Sequence, residues 1–148
     1  MLDATINRLF DHLEHLREER KKSKGRGKAV LYELEKNFNR ILLWKRNGVD
    51  IDVIIGELST AKWEALHDKF DSNDVKINKI TKASVKGYPS DERYIGWSSE
   101  KLITSIYAKI ETLKDLVRLD PDNKKVRKSV RLDNILRLIR LLSKHVSH

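Results

Sequence analysis

Apolar residues recur along this chain at alternating intervals of three and four, and no other feature narrows the fold as much. Leu2, Ile6, Leu9, Leu13 and Leu16 form one series, and Leu31, Leu34, Phe38 and Ile41 a second. Ile103, Ile106, Ile110, Leu113 and Val117 form a third, and Leu132, Ile135, Ile139, Leu142 and Val146 a fourth. A period near 3.6 puts each series on one face of an α-helix, and four such faces are buried by packing helix on helix. Gly25 and Gly27 punctuate the first connection. Asn47-Gly48 reads as a C-cap, Ser98 as an N-cap, and Asp120 before Pro121 closes the third helix. Asp50 reads as the N-cap for Ile51, Ile54, Ile55 and Leu58, while Gly56 and Ser59-Thr60 leave one helix or two open up to Phe70. Residues 71–97 lack a sustained period. Val75–Val85 fits a short helix, Val75-Lys76-Ile77 also alternates like a strand, and Gly87–Asp91 is a loop. Lys128 falls on the extension of the last seam, so that helix either projects from the bundle or begins near Ser129. The pattern predicts an all-α, antiparallel four-helix-type bundle with an extra short helix/loop region at about 71–97, in one domain over 1–148.

Composition removes several chemistries. Without cysteine there is no disulfide, thiolate nucleophile or Cys-ligated zinc. Met1–His12 is amphipathic and lacks the apolar run of a secretory signal, and runs such as Ile41–Trp44 are too short to cross a bilayer. A cytoplasmic protein with no membrane partner is expected. No Gly-x-Ser-x-Gly, phosphate-binding glycine loop or nucleotide fingerprint occurs, so no cofactor is assigned. His12, His15 and Glu19 share a strip beside the first seam, and their side chains have metal-ligand chemistry. One helix supplies only part of a coordination shell, however, so no metal site is assigned. His67 reads as a half-buried or surface histidine.

The net charge of +9 is uneven: +5 in residues 1–49, −2 in 50–97, +1 in 98–119 and +5 in 120–148. Positive ends around an acidic middle favour an anionic partner, with nucleic acid, RNA or DNA, the leading one. The competing reading is a solvated surface. Arg20, Lys21, Lys22, Lys24, Arg26 and Lys28 cluster in the glycine-punctuated connection. Lys124, Lys125, Arg127, Lys128 and Arg131 cluster ahead of the last seam. In an up-down bundle these runs fall at one end as a single patch, which Arg137, Arg140 and Lys144 extend along the solvent face of the last helix. Phosphate neutralisation by such a patch is salt-sensitive and indifferent to sequence. No aromatic is interleaved with either run, so base stacking is not indicated.

Arg140-Leu141-Leu142-Ser143-Lys144-His145 resembles the Arg-x4-His motif of HEPN-type ribonucleases, small helical dimers that cleave RNA without metal. The resemblance implies His145 as general acid or base and Arg140 as stabiliser of the phosphorane charge. Leu141 stands where that family is usually polar, and on an ideal helix the two side chains lie about 140° apart. The competing reading is a solvated arginine and a histidine at the negative helix end. A second apolar strip, Val130, Leu138 and Leu141 with Leu43-Trp44, lies off the main seams. Either a homo-oligomeric interface or residues 71–97 would cover it. The sequence thus predicts a basic helical binding or adaptor protein that self-associates. A HEPN-like ribonuclease and a structural subunit of a larger assembly are the alternatives.

Overall fold

The computed structural model describes the backbone of residues 2–71, 73–75 and 78–146, and their side chains from Asn7 onward. The seam side chains Leu2 and Ile6, the turn residue Ser72 and the strand-like pair Lys76-Ile77 lie outside the described residues. Six α-helices pack together: α1 (Leu2–Lys22), α2 (Gly25–Asn47), α3 (Ile51–Glu57), α4 (Ala61–Leu66), α5 (Ser99–Leu119) and α6 (Lys128–Val146). Short 3₁₀ turns occupy Pro89–Tyr94 and Lys124–Val126, and the described residues contain no strand. None of the described helices is long and apolar enough to cross a membrane.

The four apolar series form the core. Leu16, Leu34, Phe38, Ile41, Ile103, Ile106, Ile110, Leu132, Ile135, Ile139 and Leu142 are completely buried. Helix α6 is the hub and packs against α1, α2, α3 and α5. The expected caps form: the Asp50 carboxylate accepts from the amides of Asp52 and Val53, and Ser98 Oγ from that of Lys101. Gly48 closes α2 in the left-handed conformation at φ 69°, which a residue without Cβ adopts freely.

The connection after the first seam is far shorter than expected. α1 stays helical through the charged run to Lys22, and only Ser23 and Lys24 separate it from α2. Ion pairs replace the apolar stripe there: Glu35 of α2, almost fully buried, takes Arg17 Nε at 2.9 Å and Arg20 Nε at 2.9 Å. Burial works against the ionised Glu35, but hydrogen bonds from Arg20 and Arg17 outweigh it and hold its pKa below the ordinary carboxylate value.

Helices α3 and α4 are separate because the break at Leu58–Thr60 is pinned from outside. Asn37 donates to Ser59 O and accepts from Ser59 N, both at 2.8 Å, and Lys114 Nζ donates to Leu58 O and Gly56 O at the end of α3. Buried Glu33 supplies the cap that α4 lacks, accepting from Lys62 N at 2.8 Å and Trp63 N at 3.2 Å.

Residues 78–97 form a strap over α6. Two backbone bonds close it, Ile80 N to Trp97 O and Gly96 N to Ile80 O, each 2.9 Å. Ile80, Val85 and Tyr94 anchor it in the core. Leu138 shares a recess with Asp91, Arg93 and Tyr94 of the strap. Leu141 falls on the same stripe of α6, four residues after Arg137. The two are 3% and 1% exposed, so this half of the second apolar strip is buried within the chain. Val130 and Leu43 remain exposed, and Trp44 is half-buried against the core.

Candidate nucleic-acid interface

The basic stripe of α6 faces the strap rather than solvent. Arg140 Nη2 donates to Asp91 Oδ2 at 2.7 Å, and its guanidinium lies 3.7 Å from the ring centroid of Tyr88. Arg137 donates to Ser90 Oγ and stands 3.8 Å from the same buried Asp91 carboxylate. Lys144 Nζ donates to Lys86 O at 2.7 Å, and burial followed by the nearby Arg140 charge lowers its pKa. His145 is buried. Its Nε2 lies 2.6 Å from Asn78 O, which can only accept, so Nε2 carries the hydrogen, and Nδ1 is 3.5 Å from Ser84 Oγ. Arg140 and His145 therefore both grip the strap, at different points of it. The expected extension of the patch along this face corresponds instead to a docking stripe inside the chain.

The two basic runs also stand apart, against the expectation of a single patch. Val146, at the C-terminal end of α6, lines a recess together with Ser23 and Lys24. Lys128, at the other end, pairs with Asp52 at 2.8 Å and donates to Pro121 O at 2.8 Å. α6 has 19 residues, so the runs are separated by about 27 Å along its axis. The physical reason is chain direction: the α1–α2 link meets the end of α6, not its beginning.

Six of the fourteen predicted contacts are ion-paired within the chain. Arg20 is held by Glu35, Lys21 by Glu18 and Arg26 by Asp74, while Arg131 donates to Val126 O. Lys22, Lys24 and Lys28 are exposed and pair with no described carboxylate; Lys124, Lys125 and Arg127 are the corresponding set at the far end.

Three lysines complete the nearer cluster, and the sequence reading missed them. Lys79, Lys82 and Lys86 on the strap are exposed, without a described ionic partner. Their segment crosses the last turn of α6, where Asn78 and Ser84 meet His145 and Lys86 O meets Lys144. The Ser23-Lys24 link reaches the same turn at Val146. Six lysines without a described ionic partner, from two stretches of chain, thus gather at one end of α6. The α2 start adds to this field, because its first turn carries no acidic residue. Beside the cluster, a recess of about 640 Å³ is lined by Lys82, Lys86, Pro89, Glu92 and Ile95. A spacing of three and four at 79, 82 and 86 was the available signal, hidden by the net acidity of residues 50–97.

His12 and His15 lie edge to face, with centroids 6.2 Å apart. Burial, then Arg140, His15 and Lys144, bring the His12 pKa down to about 4, and its Nδ1 has no described hydrogen-bond partner. Among the described residues no group of three or more His, Asp or Glu side chains is placed to hold a metal ion. No family model matches this chain, and neither does any curated protein or solved structure. Its chemistry is read from its own residues.

Proposed function

We propose that this protein is a nucleic-acid-binding module whose helices, arranged as an antiparallel bundle, hold a lysine cluster against the phosphate backbone. The observation that carries the reading is the convergence of Lys22, Lys24 and Lys28 with Lys79, Lys82 and Lys86 around the last turn of α6, exposed and without carboxylate partners among the described residues. Each such lysine that meets a phosphate releases a condensed counterion, so affinity falls steeply with salt. Lys124, Lys125 and Arg127 provide a second, smaller contact on the same reading. Arg140 and His145 serve the strap that presents Lys79–Lys86.

Titration of labelled nucleic acid by fluorescence anisotropy at several salt concentrations tests this. The expected result is submicromolar to micromolar binding at low salt, with a log–log slope that becomes shallower by about two to three in the triple change Lys79→Gln, Lys82→Gln, Lys86→Gln. Absence of binding at low salt, or an unchanged slope in that variant, would refute the assignment.

A further inference from the structure

Helix α2 continues from the lysine cluster as an exposed line of alternating character. Lys28, Tyr32 and Lys36 are spaced four apart, so they stand one above another on one face, and all three are exposed. Tyr32 is 41% exposed. Two cations attend its ring. Arg20 of α1 places its guanidinium 5.0 Å from the centroid, and Lys36 its ammonium 4.6 Å away. Arg20 is fixed in place by two hydrogen bonds to Glu35, at 2.9 and 3.2 Å. Lys36 has no carboxylate partner among the described residues.

An aromatic ring set between exposed cations at one-turn intervals, as Tyr32 is between Lys28 and Lys36, is the arrangement that holds single strands: cations track the phosphates and the ring takes a base. Neither basic run shows this, because Tyr32 and Lys36 lie four and eight residues beyond Lys28, where the run ends. We infer that Tyr32 is a base-stacking residue and that the partner class is single-stranded nucleic acid. This rests on the nucleic-acid reading above and specifies its substrate.

A base approaching Tyr32 displaces the Lys36 head group, since a cation–π contact at an exposed site is weaker than base stacking on an aromatic ring. The freed ammonium, on its flexible stem, then meets the adjoining phosphate. Arg20, clamped by Glu35, stays and keeps the ring in position. A duplex offers no such exchange, because its base faces are already stacked inside the helix.

Three probes decide the matter: a labelled oligothymidine strand, an abasic strand of the same length, and the oligothymidine annealed to its complement. The expected order is tightest binding to the oligothymidine strand. Tyr32→Ala weakens that binding about tenfold, leaves the abasic strand unchanged, and is rescued by Tyr32→Phe and Tyr32→Trp. Equal affinity of wild type for the three probes overturns the inference, as does an unchanged oligothymidine affinity in Tyr32→Ala. If Tyr32→Ala has no effect while the Lys79/Lys82/Lys86 variant loses binding, stacking is refuted and the phosphate-binding reading stands. If wild type binds none of the probes at low salt, both are refuted. Thermal melts of each variant confirm the fold, which an exposed side chain does not govern.

Discussion

At Gly27 the α2 backbone passes so close to Asp74 that a Cβ would stand 1.8 Å from its carbonyl oxygen. Glycine inside a helix ordinarily costs about 0.5–1 kcal/mol relative to alanine. Gly56 in α3 is the counterpart, since a Cβ there meets nothing within 4 Å. The two sites should answer the same substitution with opposite signs. Gly56→Ala raises stability by about 0.5–1 kcal/mol, and Gly27→Ala lowers it by about 1–3 kcal/mol through forced displacement of the Asp74 backbone. Urea melts of the two variants check both signs, and a stabilised Gly27→Ala would contradict the close crossing. His12 makes a second residue-scale prediction. Its folded pKa of about 4 lies below the ordinary histidine value of 6.5. Between those values the unfolded chain binds a proton that the folded chain does not, so stability rises with pH across this window and falls on acidification through it. His12→Gln should flatten that part of the profile of Tm against pH. An unaltered profile would show that His12 is not the titrating group.

The helices were legible because periodicity reports burial directly. Each α5 and α6 seam residue from Ile103 to Leu113 and from Leu132 to Val146 is buried where its spacing placed it. The strap was not legible. Arginine and lysine look the same in a sequence whether they face water or a carboxylate 49 residues away, as Arg140 faces Asp91. The stripe Arg137–Arg140–Lys144 therefore read as solvent-facing, and the apolar residues beside it left a second chain and residues 71–97 both open as their cover. Residues 78–97 have no helical period of their own, because their conformation is set by the polar edge of α6. Asp91 is the element's weak point: it is buried and balances two guanidinium groups. Asp91→Ala leaves Arg140 enclosed without its anion, a change that costs about 3 kcal/mol where a buried pair is broken from one side. Hydrogen exchange should quicken at the strap-closing amides of Ile80 and Gly96 and hold steady in the middle of α5. Equal acceleration in both places would mean the strap is not a separate unit. The double change Asp91→Leu, Arg140→Met recovers part of the loss, since it removes both charges together.

At the scale of the whole molecule, the candidate interface exists only in the folded state. Lys22–Lys28, Lys79–Lys86 and the end of α6 are distant in the chain and meet because α6 carries both the α1–α2 link and the strap at its C-terminal end. The unfolded chain has the same net charge of +9 and also attracts nucleic acid. A ligand raises Tm only to the extent that it prefers the folded form. Folding concentrates six cations on one surface, whereas unfolding spreads them along a flexible coil that must be ordered again on binding. The folded form should therefore win: saturating single strand raises Tm at low salt, by about 2.7 kcal/mol of stabilisation at a hundred times Kd when the unfolded chain binds negligibly, and by less as its affinity grows. Salt at several tenths molar should erase the shift, because the Debye length contracts below 8 Å and the counterion gradient that drives release is lost. Calorimetric melts with and without strand, in low and high salt, measure this. A Tm that falls on adding the strand would mean that the unfolded chain is the better binder and that the lysine cluster is not a preorganised site.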